Sequence, residues 1–493
     1  MKTCPTPLSF QGLRPLAMGL SLALLALGAQ ASGYRFGTQS AAAEGTANSN
    51  GAEGADASSL FANPAALTRL KGLQVSGVLD IIDPKVRFTD AGSTLTAPGT
   101  GLQPRAISAA GDTSSPADTA YVPHMYLSYA LSDRMVAGMG VFVPFGAKLD
   151  YGMTWGGRYN LGNVELKSIS LNPNLAFKIS DNLSVAGGLN LQHMEGKLKR
   201  AVPYSSAYAR GLLAAAAQVE AGGSPALALQ MRQMAAQIFG DPQYDGSVAI
   251  EGKDWGFGFN LALLWDLDKN TRFGMSYRSA VKQVLKGTGD WTQPTTLPAS
   301  VLAAITAAPY NGLSALDHND SAASVAIKTP ESLSIHGFHQ LTPTVAVMAD
   351  ATWVKQSRLE TLRIDFHNTT PDSITPEHWK NTWRVSAGVN WQAGKDVMLR
   401  AGFANDRSPV PSRTRSPSLP DAHRQTFALG ANLNLAPATT LDLALTYLKV
   451  KDAAMDIVDD AEGETPCNCS LAHVRGNYAS RAVIFGMQIN HKF

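Results

Sequence analysis

From Leu73 to Phe493 apolar and polar side chains alternate with a period of two, the mark of strands with two unlike faces. Trp383, Val385, Ala387, Val389 and Trp391 share one face of such a run, while Arg384, Ser386, Gly388 and Asn390 share the other. Phe427, Leu429, Ala431, Leu433 and Leu435 oppose Asn432 and Asn434 in the same way, and Leu441, Leu443, Leu445 and Tyr447 oppose Asp442 and Thr446. Aromatic residues sit near segment ends, as Trp255 and Trp265 do around 257–263, where girdles at two membrane interfaces belong. Alternation predicts strands near 73–82, 121–131, 135–150, 164–179, 183–200, 248–266, 270–289, 324–341, 343–366, 377–393, 396–405, 424–436, 439–452 and 478–493. That is about 14, an even number, as a closed single-chain bacterial barrel requires. Short turns such as 180–182, 268–270 and 392–395 take turns with long polar connections at 84–118, 201–247, 290–323 and 406–423. Short links on one rim and long loops on the other predict an all-β membrane protein, a 14-stranded antiparallel outer-membrane barrel spanning 73–493.

Two segments do not alternate. Residues 32–72 are rich in Gly, Ala and Ser and contain the turn-forming Asn63-Pro64-Ala65. The connection at 204–239 has helical composition, with an apolar run at 212–217, a Gly222-Gly223-Ser224 break and Pro225 at the start of a second helix. Two amphipathic helices outside the barrel either present apolar surface to an arriving lipid-like ligand or only pack on neighbouring loops. The chain ends with Val483, Phe485, Met487, Ile489, His491 and Phe493 on one face, so an aromatic residue closes the last strand. That ending resembles the signal by which the barrel assembly machinery recognises outer-membrane barrels, which makes this machinery and outer-membrane lipid expected partners.

The first 31 residues read as an export signal: Lys2 and Arg14 give a weakly basic start, 16–27 an apolar run, and Ala29-Gln30-Ala31 a cleavage site. A run of about a dozen residues is too short to span a bilayer, which takes about 20 in a helix. Charged residues make up 16% of the 493, low against the usual ~25% of soluble domains and in keeping with a wall that faces lipid. A formal net charge of +2 leaves no basic footprint for nucleic acid. Of three cysteines, Cys4 lies in the signal, and Cys467 with Cys469 lacks nearby ligands to complete a metal site, so neither metal nor cofactor is expected. The ten His are scattered, with no His-Glu-x-x-His and no Gly-x-Ser-x-Gly, so the chain is not expected to be an enzyme. No phosphate-cradling loop is present, so any transport runs down a gradient. A general water-filled porin is the rival reading, and the long non-alternating N-terminal segment argues against an open lumen.

Seven short stretches stand in a distinctive order and spacing: Ser32-Gly33-Tyr34, Leu60-Phe61-Ala62-Asn63-Pro64-Ala65, Asp254-Trp255-Gly256-Phe257-Gly258-Phe259-Asn260, Leu267-Asp268-Lys269-Asn270, Tyr277-Arg278-Ser279, Ser408-Pro409-Val410-Pro411 and Pro420-Asp421. On these residues the sequence resembles the FadL family of outer-membrane long-chain fatty acid transporters, which includes importers of aromatic hydrocarbons. The resemblance implies a barrel closed by an N-terminal hatch at 32–72, with Asn63, Pro64 and Ala65 as its signature. It implies capture of ligand between long loops, a deeper pocket, and a kink in the third strand that opens the wall. Pro144-Phe145-Gly146 interrupts alternation there, and proline and glycine weaken a ladder on their own account. By the same resemblance Arg200 is the pocket arginine for a ligand carboxylate. Tyr34, in place of a typical phenylalanine, holds the tail with Phe36 and Phe61. A second basic pocket residue has no counterpart: the region around Thr375 is not basic and Lys380 is only a neighbour. A fatty acid is the expected ligand, with a neutral hydrocarbon as the alternative.

Overall fold

The computed structural model describes residues 34–294, 319–459 and 470–493, so the expected export signal and the Cys467, Cys469 pair lie outside the described residues. Fourteen strands follow one another around a single sheet. They are β1 (Leu73–Asp90), β2 (Ala120–Ser132), β3 (Met135–Phe142 and Gly146–Asp150), β4 (Asn163–Ser180), β5 (Leu183–Pro203), β6 (Asp245–Asp266) and β7 (Thr271–Arg278 and Lys282–Thr292). The second half comprises β8 (Ser321–Lys328 and Ser332–Thr342), β9 (Val345–Val354 and Thr361–Phe366), β10 (Ser373–Pro376 and Thr382–Gln392), β11 (Val397–Asp406), β12 (Arg424–Ala436), β13 (Thr439–Val450 and Ala453–Asp459) and β14 (Leu471–Lys492). Each pairs antiparallel with the next, and β14 returns to β1 from Gln74↔Lys492 to Asp90↔Gly476, which closes the barrel. All 14 strands predicted from alternation are present. No helix among the described residues is long and apolar enough to cross a membrane; the crossing is made by strands.

Several strands outrun the alternation that predicts them. β1 continues eight residues past Ile82, and β14 starts seven before Tyr478. In the lower part of β1 the outward residues are Val75, Leu79 and Ile81, and the inward ones include Ser76 and Asp80. Above Ile82 the outward residues are Asp83, Lys85 and Arg87 and the inward ones Val86 and Phe88, so the hydrophobic face changes sides. β14 does the same around Ala482: Arg475 and Arg481 point out above it, Phe485, Met487 and Ile489 below it. A strand needs only about 9–11 residues to cross the bilayer, and at 18 and 22 residues these two rise well beyond it. Outside the lipid the ordinary rule, apolar inward, takes over.

Tight turns such as 133–134, 181–182 and 343–344 occupy one rim, and the long connections the other. The longest described connection folds into α1 (Tyr204–Ala221) and α2 (Pro225–Ile238). Tyr204, Tyr208 and Leu212 pack with Ile238, Phe239 and Leu95, burying most of the helical apolar surface against neighbouring loops, while Leu227 and Leu229 stay exposed.

Candidate functional site

Residues 34–70 run inside the wall, and all but Ala55 and Arg69 are buried or half-buried. Their composition suits this position, because small side chains let backbone approach backbone. A methyl group on inward-facing Gly402 would come within 2.5 Å of Ala47 N, and one on Gly430 within 2.9 Å of Gly45 Cα. Polar inward residues do the fastening. Arg384 donates to Ala47 O at 2.6 Å, Asn390 to Glu53 at 2.6 Å, and Ser40 to Gln488 at 2.8 Å. Asn63 caps its own short helix by accepting from Ala65 N at 3.1 Å and donates to Leu263 O of β6 at 3.0 Å. Pro64, at the first helical position, gives up no needed hydrogen bond there.

The third strand breaks between Phe142 and Gly146, and its ladder to β2 ends at Met125↔Val141. Beyond that point β2 and β3 share no ladder, and residues 34–36 take the vacant place. Phe36 N donates to Pro144 O and Gly146 N to Tyr34 O, each at 2.9 Å, around an Arg35↔Phe145 bridge. Gln39 donates to Val143 O at 2.7 Å, and Val143 N donates to His124 Nδ1 at 3.3 Å. Ser168 accepts from Phe145 N at 2.9 Å and donates to Phe145 O at 2.6 Å. The break in β7 is closed differently, by wall residues: Thr329 N donates to Val281 O at 2.9 Å and Val281 N to the Thr329 hydroxyl at 3.0 Å. Buried backbone polar groups require partners, and at the break in β3 these come from the N-terminal segment, from Ser168 of β4 and from His124 of β2.

Two cavities of about 140 Å³ flank this seam. The first is apolar, lined by Tyr34, Leu166, Leu198, Leu285, Trp379 and Leu419, with Tyr34 5.3 Å from the Phe145 ring and 5.7 Å from Trp379. Its charged members are Glu165, Lys197, Glu251 and Glu377, and Lys197 is matched by Glu251 at 3.3 Å and Glu195 at 3.4 Å. Glu377 lies in a loop and accepts from the Trp379 indole at 2.8 Å; burial pushes its carboxyl up to about 7. The second cavity lies in the lumen and brings several arginines among apolar surface, lined by Arg35, Phe36, Phe61, Arg278 and Arg384 among others. Arg278 stands over the Phe61 and Phe142 rings at 5.0 and 5.2 Å and donates to Phe61 O at 3.2 Å. Arg35 is desolvated, and burial followed by the nearby Arg384 pulls its guanidinium below the ordinary value.

Of the residues singled out in the sequence, Tyr34 lines the apolar cavity and Phe36 and Phe61 the lumenal one, while Pro144, Phe145 and Gly146 form the seam between them. Arg200 lines neither cavity; it stands two residues beyond Leu198 on the same face and its Nη1 is 3.4 Å from Tyr159 O. Sequence reasoning missed Gln39, His124 and Ser168 at the seam and the arginines at 35, 278 and 384. The last two were open to discovery as polar residues on the inward face of alternating strands.

The sequence profile described as "Outer membrane protein transport protein (OMPP1/FadL/TodX)" matches residues 22–493. An outer membrane protein named as such, as a candidate, in Neisseria meningitidis serogroup B is 32% identical over 490 residues, covering 98% of this chain and 99% of its own. A long-chain fatty acid transport protein of Salmonella typhi is 25% identical over 438 residues, 88% of this chain and 91% of its own. Among solved structures, a Pseudomonas aeruginosa FadL homologue superposes with a TM-score of 0.75 at 22% identity, over 94% of this chain and all of that one. Barrel, inner segment and match thus agree from end to end: the chain belongs to the OMPP1/FadL/TodX family of outer-membrane transport proteins.

Proposed function

We propose that this barrel takes up long-chain fatty acids from outside the cell and releases them sideways through its wall. The observation that carries the reading is the seam at Pro144-Phe145-Gly146: the wall's ladder is completed there by residues 34–36, and Tyr34 belongs to the seal and to the apolar cavity at once. Ligand filling that cavity displaces Tyr34, and movement of Tyr34 frees Gly146 N. Residues 32–72 act as the hatch, with Asn63, Pro64 and Ala65 holding its far end to β6, so the hatch shifts at its amino end without leaving the lumen. Arg200, just past the cavity lining, meets the carboxylate at the entrance. The outward apolar belt faces outer-membrane lipid, and Phe493 addresses the assembly machinery. No step needs a nucleotide or a cofactor.

Uptake is tested by supplying the chain to a transporter-null bacterial strain and comparing growth on oleate with sensitivity to toluene. Growth on oleate that Tyr34→Ala abolishes supports the reading. Toluene entry without growth on oleate replaces the fatty acid with a neutral hydrocarbon, and swelling of liposomes by sugars returns the porin.

A further inference from the structure

The outer wall carries a row of cations at one level. Lys85 of β1 stands directly opposite Arg481 of β14, and Arg481 directly opposite Lys449 of β13. All three point outward and are exposed. Side chains so placed lie about 4.5–5.5 Å apart at Cβ, and like charges directly opposite one another destabilise a sheet. Arg87, two residues above Lys85, points the same way. Of the carboxylates near β1, Asp83 pairs with Lys85 at 2.9 Å and Asp118 with Lys148 at 3.9 Å. Arg481, Lys449 and Arg87 have no ion pair among the described residues. Lys451 and Asp452, next along the chain, cancel in sum, so the patch keeps a surplus of positive charge. The row is also bounded: neutral Gln425 of β12 stands opposite Lys449, and neutral Tyr121 is the uppermost outward residue of β2.

The row marks a level in the membrane. A strand crosses the bilayer in about 9–11 residues; counted from the short-turn rim at Gln74, Lys492 and Thr439, that length ends at Lys85, Arg481 and Lys449. Immediately beneath, on the same outward face, Val483, Phe485, Leu445 and Tyr447 are exposed. Cations in bulk water need no partner, but these stand at the top of an apolar belt. A free anion touches only the cations and a neutral lipid only the belt, whereas an anionic amphiphile touches both. We propose that Lys85, Arg481 and Lys449, with Arg87 above them, bind the phosphate monoester head group of an outer-leaflet lipid whose acyl chains lie along Phe485 and Leu445. Phosphate suits the row because its three acceptor oxygens and nearly two charges meet cations set one strand apart, about 4.8 Å, and the Arg481 guanidinium offers it a two-pronged donor. Clustered Lys and Arg at a membrane surface select anionic lipid on the same electrostatic ground. The site does not depend on what crosses the lumen.

The test is binding of lipid A, a glycolipid with two phosphate monoesters, to the folded full-length barrel in detergent, followed by native mass spectrometry. Wild type is expected to prefer lipid A over phosphatidylcholine. Each cation removed should cost about fivefold, and the triple variant Lys85→Gln, Arg481→Gln, Lys449→Gln about a hundredfold. Phosphatidylcholine should bind the triple variant within about twofold of wild type, which shows the wall and belt intact. Arg481→Lys, which keeps the charge, should cost less than Arg481→Gln, and Lys269→Gln, in a turn at the opposite rim, nothing. A triple variant that keeps its affinity for lipid A overturns the site, as does a wild type that binds both lipids alike. Inorganic phosphate that displaces lipid A at equal concentration overturns it in favour of a free anion. Polyglutamate that binds the row as strongly as lipid A overturns it in favour of an acidic protein.

Discussion

Substituting Gly402 by Ala is the sharpest way to separate the inner segment from the wall that holds it. A methyl at this position points from β11 into the Thr46 carbonyl and to within 2.5 Å of Ala47 N, and both belong to backbone rather than to a side chain that can swing aside. Ordinary contact begins near 3.4 Å, so the segment has to retreat by roughly 1 Å, the loss that overpacking imposes elsewhere. It has little slack, because Ala47 and Asn48 already sit in the left-handed region, with φ of 50° and 52°. A retreat of that size takes the Arg384–Ala47 O hydrogen bond from 2.6 Å to roughly 3.6 Å, outside hydrogen-bonding range, and also breaks the Ser386–Asn48 O contact at 3.4 Å. Losing a charge-assisted bond and a neutral one costs about 2–4 kcal/mol, and strain adds about 1–3 kcal/mol. At about 1.4 kcal/mol per tenfold, the docked segment becomes less favoured by at least about a hundredfold, while the ladder of β11 is untouched. Conductance in planar bilayers and sugar-driven liposome swelling read the result directly. The control is Gly394→Ala, in the turn before β11 with nothing within 4 Å. If Gly402→Ala conducts no more than Gly394→Ala and its residues 41–50 exchange amide hydrogens no faster, the segment is not what blocks the lumen.

Two other perturbations address the seam and the loop above it. Ser168→Ala strips Phe145 of the partner for both its N–H and its carbonyl, a local cost of about 1–3 kcal/mol; exchange of the Phe145 amide is expected to quicken about tenfold or more with the rest of β3 unchanged, and Ser168→Thr to restore it, whereas an unaltered rate would mean that Ser168 does not hold the break. Glu377, raised by burial from 4.5 to about 7, keeps its proton in the folded loop at pH values where the unfolded chain has lost it. The stability it contributes is therefore complete below about 4.5 and falls as pH rises to about 7, so protection of residues 377–379 against exchange, corrected for intrinsic rates, should decline across that window in wild type and stay flat in Glu377→Gln.

The wall was legible because lipid enforces a rule that the chain writes down residue by residue: Trp383, Val385 and Trp391 outward, Arg384, Ser386 and Asn390 inward. The ends of the strands were not, because the same strand obeys the reverse rule once it leaves the lipid, as Lys85 and Val86 do in β1. Pro84, which reads as a strand terminator, simply pairs with Ala482 in mid-ladder. The break at Pro144 was visible as an interruption of alternation. What fills it was not, since the pairing of Arg35 with Phe145 spans more than a hundred residues and involves backbone atoms that every residue possesses. The arginines at 35, 278 and 384 come from three separate parts of the chain, and only closure of the barrel puts them around one space. Resemblance pointed to Arg200, which lines neither space.

The fastening of Ser40 to Gln488 joins residues 448 apart, and that separation has a kinetic meaning. From Ser40 onward the inner segment finds its full set of anchors only when the last strand has arrived, so the docking of this stretch is among the latest and most non-local events of folding. Until then it waits as an unfolded tether, in a compartment where exposed apolar chains aggregate. Between Thr38 and Ser59 it carries no aromatic residue and no Leu, Ile, Val or Met. A stretch so poor in sticky side chains can wait safely, and the inward glycines that later receive it are what make so meagre a stretch fit: solubility in the waiting state and close packing in the final one are met by the same choice of small residues.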